Sequence, residues 1–151
     1  MQDANHALSV LRNRTKIANL EFDTAGQVEL VIEDSLSIFL SRVSDTEIEF
    51  SSSIDALDDK ISVDVMKAML TANALGAGTG TARLALDAGT GEALVCDRVD
   101  VRLVDAAGFE ARFTTFVRTA AFWATDGARD LLAAARPAVD VNSLDPAFIR
   151  L

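Results

Sequence analysis

The sequence predicts an α+β domain: an antiparallel five-stranded sheet with three helices, in the order α-β-β-β-α-β-β-α. Three observations carry the prediction. Between residues 28 and 50, three runs of alternating apolar residues follow one another directly. Their links, Glu33-Asp34 and Ser44-Asp45, are short enough for hairpins, which join antiparallel neighbours. Segments of helical period precede, interrupt and follow the strand runs without alternating with single strands, so helices and strands are segregated rather than arranged as βαβ units.

The first helix runs from Asp3 to about Lys16. Ala4, Ala7, Leu8, Leu11 and Thr15 fall at i, i+3, i+4, i+7 and i+11. So thin a stripe makes a marginal helix that needs a surface to lie on. The period then changes to two. Val28, Leu30 and Ile32 take one side of a strand, Leu36, Ile38 and Leu40 one side of the next, and Ile48 and Phe50 one side of the third.

After the polar loop Asp55–Lys60, Ser62 is placed to cap a second helix, with Asp64 at its positive end. Ile61 and Met66 match a hydrophobic staple. This helix passes through Val65, Met66, Met69, Leu70, Asn73 and Ala74, and Gly76 stops it as a left-handed C-cap. Ala82, Leu84 and Leu86 form a fourth strand. Asp87–Gly91 turns it, and Glu92 to about Cys96 returns, with the alternation of Val99, Val101 and Leu103 either extending the strand or forming an extended link after it.

Asp105 caps the last helix. Its stripe is Phe109, Phe113, Phe116, Val117, Ala120 and Trp123 with Ala124. Gly127 costs about 1 kcal/mol relative to alanine inside a helix, so it marks a kink or an end. Leu131 and Leu132 resume the pattern and Pro137 ends it. The domain therefore spans residues 1–136, and residues 137–151 form a C-terminal tail without a clear period.

The 151 residues suit one domain, and with half of them hydrophobic the chain has material for a real core. The formal net charge of −9, with scattered basic residues, argues against nucleic-acid and membrane-surface partners, which bind through clustered Lys and Arg. No apolar run approaches a membrane span, and the N-terminus lacks the layout of a signal peptide. A single cysteine, Cys96, excludes an internal disulfide and fits a reducing compartment, the cytoplasm by default.

The residues that invite chemistry do not assemble into it. Gly76-Ala77-Gly78-Thr79-Gly80 lacks the lysine of a phosphate loop, and its order, helix before and strand after, is inverted. His6 is the only histidine, near the N-terminus. Cys96 has no CxxC partner. Asp55, Asp58 and Asp59 lack calcium-loop spacing, and Asp23-Thr24-Ala25-Gly26 misses the aspartic-protease triplet by one residue. At helical spacing, Trp123 and the phenylalanines read as core rather than as the lining of a ligand pocket. No catalytic, cofactor-binding or metal-binding residues are predicted, and no cofactor.

Two stretches carry a family resemblance. Met69 to Asp87, MLTANALGAGTGTARLALD, is similar to a pattern of the class I type III secretion chaperones, the Tir chaperone family, through Leu70, Ala72, Asn73, Gly76, Gly78, Thr79, Gly80, Leu84 and Leu86. Leu103 to Trp123, LVDAAGFEARFTTFVRTAAFW, resembles that family's last helix. The first helix departs from the family by lacking its Leu-Gly ending. The resemblance covers roughly residues 3–135. It implies an ATP-independent homodimer in a bacterial cytosol that binds the N-terminal chaperone-binding segment of a secreted effector, with the secretion ATPase as a further partner. Such a protein keeps a virulence effector soluble and delivers it to the secretion apparatus.

With that implication, the two-fold contact is expected at Met66, Met69, Leu70, Asn73, Ala82, Leu84 and Leu86. Effector binding is expected at Leu8, Val10, Leu11, Ile17, Phe39 and Val43. Two other readings share the sequence features: a regulatory protein-binding module of the same fold outside secretion, and a small carboxylate-dependent enzyme.

Overall fold

The computed structural model describes residues 1–33 and 35–135. Helix α1 (Ala4–Thr15) leads into the meander β1 (Gln27–Ile32), β2 (Leu36–Arg42) and β3 (Glu47–Ser53). Helix α2 (Val63–Asn73) precedes the hairpin β4 (Arg83–Leu86) and β5 (Ala93–Asp100). Helix α3 (Ala106–Phe122) passes through a π turn, Trp123–Gly127, into α4 (Ala128–Ala134). All neighbouring strands are antiparallel, in the sheet order β1-β2-β3-β5-β4. The expected class and element order are both present.

Helix starts follow the caps legible in the sequence. Asp3 accepts from the His6 amide at 2.8 Å, Ser62 from Val65 at 3.3 Å and Asp105 from Gly108 at 2.8 Å, each satisfying one orphan donor of a first turn.

The helices pack on one face of the sheet. Leu30, Ile38, Leu40, Ile48, Phe50, Val95 and Val99 point towards them and are buried. Phe50 is the hub: its ring lies 5.5–5.7 Å from those of Phe109, Phe113 and Phe116 on α3, in the tilted and edge geometries that aromatic rings favour. Asp97 shares this inward face. It is buried, and Arg112 of α3 binds it in fork geometry, Nε–Oδ2 2.8 Å and Nη2–Oδ1 2.7 Å. Thr81 donates to the same carboxylate at 3.3 Å, so one side chain ties sheet, helix and glycine turn together.

Three boundaries differ from the sequence reading. Helix α2 ends at Asn73, and the chain then makes a 3-10 turn, Ala74–Gly76, in which Leu75 as well as Gly76 has positive φ (55° and 69°). Strand β5 stops at Asp100, whose carboxylate accepts from the Arg102 amide at 3.0 Å, and Val101–Leu103 is a 3-10 turn rather than more strand. Gly127 neither ends nor simply kinks the last helix; it closes the π turn. The stop expected at Pro137 and the tail 137–151 lie outside the described residues.

Candidate interaction surfaces

The two sheet edges are unlike each other. At the β4 edge, Asn73 reaches from α2 and uses its amide as a neighbouring strand would. Its Nδ2 donates to the Leu84 carbonyl at 2.9 Å, and its Oδ1 accepts from the Leu84 amide at 2.8 Å. The centre of this short strand is therefore already paired, a common way to blunt an edge. At the β1 edge Asp23 covers the first residue alike, its amide donating to the Gln27 carbonyl and its Oδ1 accepting from the Gln27 amide, both at 2.8 Å, while Val31 near the far end is 56% exposed.

The expected effector-binding residues separate into layers. Leu8 and Leu11 are buried in the core with Ala4 and Ala7. Val10 is half-buried and Ile17 exposed at the end of α1. Phe39 is half-buried on the other face of the sheet, paired with Glu29 of β1 and Ser51 of β3. Val43 is exposed just past β2. The helix side and the outer side thus both carry apolar atoms, and the β1 edge runs between them. Leu20 joins the core and Phe22 packs against it, with the Arg42 guanidinium 5.7 Å above the Phe22 ring, a cation–π distance.

The expected two-fold residues also divide. Met69, Ala82 and Leu84 are buried within the protomer, and Asn73 is spent on β4. Met66, Leu70 and Leu86 remain exposed, Leu70 at 70%. Val63, absent from the expected set, is exposed at i−3 from Met66 and i−7 from Leu70, so the helical period alone would have found it. Leu75, fully exposed with its left-handed backbone, had no signal: a leucine pays a steric cost there that asparagine or glycine largely avoids.

His6 is exposed in the first turn of α1, whereas Cys96 is buried on the outer sheet face, between Ser51 and Arg83. Burial, with Glu49 nearby, pushes the Cys96 thiol up to about 11, the opposite of an activated cysteine. Glu49 is held between Arg83 and Arg98, the latter at 2.8 Å. The double variant His6→Ala, Cys96→Ser is expected to keep partner binding within about 1 kcal/mol. A titration of unmutated and variant protein against one partner checks this, and lost binding with intact circular dichroism would reopen the enzyme reading.

A sheet edge covered at its first residue and flanked by apolar side chains, and an apolar stripe beside an edge blocked at its centre, define a protein-binding module. The profile of the Tir chaperone protein (CesT) family matches residues 6–124, and the chain belongs to that family. No curated protein sequence matches it. Among solved structures it is similar to a chain of the ExsC-ExsE complex, at 16% identity and TM-score 0.66 over 80% of this chain and 90% of that one. It is similar also to a chain of the HopA1-SchA chaperone-effector complex, at 14% identity and TM-score 0.62 over 79% and 91%. A chain of the heterodimeric ExoU-SpcU complex from the type III secretion system of Pseudomonas aeruginosa matches at 12% identity and TM-score 0.54, over 87% and 98%. At these identities the structural likeness speaks for the fold. Among the described residues, no helix is long and apolar enough to cross a membrane.

Proposed function

We propose that this chain is a non-catalytic, cytoplasmic chaperone of type III secretion that binds the N-terminal segment of a secreted effector. In this reading it works as a homodimer, without ATP, and hands the effector to the secretion ATPase. Family membership supports the chaperone assignment, and the related chaperone-effector complexes support an effector as partner. The observation that carries the binding mode is where the edges are covered: β4 at its centre, β1 at its first residue, Gln27. With β4 occupied by Asn73, an extended effector segment pairs with β1, where main-chain hydrogen bonds supply affinity and side-chain pockets supply choice. Val10 and Ile17 flank it on one face, Phe39 and Val43 on the other, and Leu8 and Leu11 hold α1 in place from beneath.

Co-expression with effectors encoded by the same genome tests the reading: the partner should become soluble and co-purify through its N-terminal segment. Phe39→Asp is expected to weaken that complex by about 2 kcal/mol or more, as at an interface hot spot. Half-exposed Phe39 leaves its replacement access to water, so the melting curve by circular dichroism should stay close to that of the unmutated protein. An unfolded variant, or one that binds unchanged, would remove Phe39 from the site.

The two-fold contact is assigned to Met66, Leu70 and Leu86, joined by Val63, with Met69, Ala82, Leu84 and Asn73 fixing α2 and β4 behind them. Residues 1–136 form the chaperone domain in this proposal, and residues 137–151 are a separate tail.

A further inference from the structure

On an edge strand, alternate residues turn their N–H and C=O groups outward. On β4 Leu84 is one of these, since both its main-chain groups meet Asn73, and Leu86, two residues on, is the other. Just ahead of the strand, the Ala82 N–H is already held by the Thr79 carbonyl at 3.1 Å. A strand arriving at β4 would therefore find Leu86 alone. On β1 the outward positions are Gln27, Glu29 and Val31. Asp23 takes the first, and Glu29 and Val31 follow it in phase, one full repeat of an antiparallel ladder.

The glycine turn explains how Asn73 reaches Leu84. The chain after α2 folds back on the helix end, with the Gly78 N–H on the Ala72 carbonyl at 3.0 Å. A Cβ at Gly78 would stand 3.2 Å from the Ala72 Cβ and 3.3 Å from the Ala72 carbonyl oxygen. Glycine permits this close return, and the return brings β4 alongside α2. The carboxamide at its end carries a donor and an acceptor together, as a peptide group does. We propose that Asn73 is a specificity-determining residue that excludes an extended polypeptide from the β4 edge. With the reading of β1 as the effector edge, on which this consequence rests, Asn73 confines the effector segment to one side of the sheet. Main-chain pairing is indifferent to sequence, so the choice of edge has to be made by cover of this kind.

The test compares the unmutated Asn73 with Asn73→Ala in isotope-enriched full-length chains. Both carry Leu70→Asp, so that a second copy at the proposed two-fold contact does not shield β4. The probe is a short peptide of alternating Thr and Val with a terminal nitroxide, which broadens the amide signals it lies beside. With Asn73 in place the Leu84 and Leu86 amides should stay sharp, and with alanine they should lose most of their intensity. Asn73→Asp keeps the acceptor for the Leu84 amide and removes the donor to its carbonyl. It should lose the same two signals at higher peptide concentration, and it decides the matter if the alanine variant does not fold by circular dichroism. Broadening at Leu84 and Leu86 with Asn73 present would overturn the proposal. So would sharp signals there in the folded variants. Glu29 and Val31 report the other edge: if they stay sharp in every chain while Leu84 responds only without Asn73, the exclusion at β4 is upheld and the β1 reading falls.

Discussion

Arg112→Met is expected to lower the unfolding free energy by about 3–5 kcal/mol, the cost of breaking a buried ion pair from one side. Asp97 is 2% exposed and faces the helices from the middle of β5. The Arg112 fork occupies both its oxygens, and Thr81 alone would remain as a donor. Methionine keeps the aliphatic stem that packs against the sheet but leaves a carboxylate in apolar surroundings, next to the row of Leu40 and Phe50. Desolvating a carboxylate without a partner is the expensive event, more than the loss of attraction. Adding Asp97→Val should therefore recover most of the loss, because replacing both members of a buried pair by packed apolar groups is often nearly neutral. Urea unfolding of the single and double variants checks both steps. A single variant within about 1 kcal/mol of the parent would show that the pair is solvated and not a structural tie.

That pair also shows where the sequence stops being readable. Alternation in β1, β2 and β3 placed Leu30, Ile38, Leu40, Ile48 and Phe50 on one face, because a single register buries them all. In β5 the inward row is Ala93, Val95, Asp97 and Val99. A charge sits at a core position, and its partner lies on a helix that begins after the strand has ended, so no local pattern announces it. Leu103 continued the alternation by type yet is 82% exposed, because the Asp100 side chain competes for the backbone and turns it first. On α2 the apolar stripe is visible in the sequence, but composition does not divide it into Met69, which is buried in the core, and Leu70, which is exposed. That division follows from where β4 lies, and Asn73 fixes it through two hydrogen bonds to Leu84. The π turn is equally non-local. Gly127 signalled a disturbance, but its cause is the space taken by Phe122 and Trp123.

Leu70→Asp is expected to raise the dimer dissociation constant at least about thousandfold, or about 4 kcal/mol, while leaving the protomer folded. Leu70 stands 70% exposed on α2, in line with exposed Val63 and Met66. A carboxylate there has water in the isolated protomer, and surface changes of that kind stay within about 0.5 kcal/mol. Across a two-fold axis the same substitution appears twice in one contact. Each association would then bury two carboxylates against an apolar stripe, where the basic residue recorded on α2, Lys67, is already paired with Asp64 at 3.4 Å. Leu103→Asp serves as the control, since Leu103 is exposed on the turn before α3, outside the proposed contact. Light scattering at micromolar concentration should report a dimer for the parent and for Leu103→Asp, and a monomer for Leu70→Asp with the parent's circular dichroism. A parent that is monomeric at that concentration, or a Leu70→Asp variant that stays dimeric, would move the two-fold contact off this stripe.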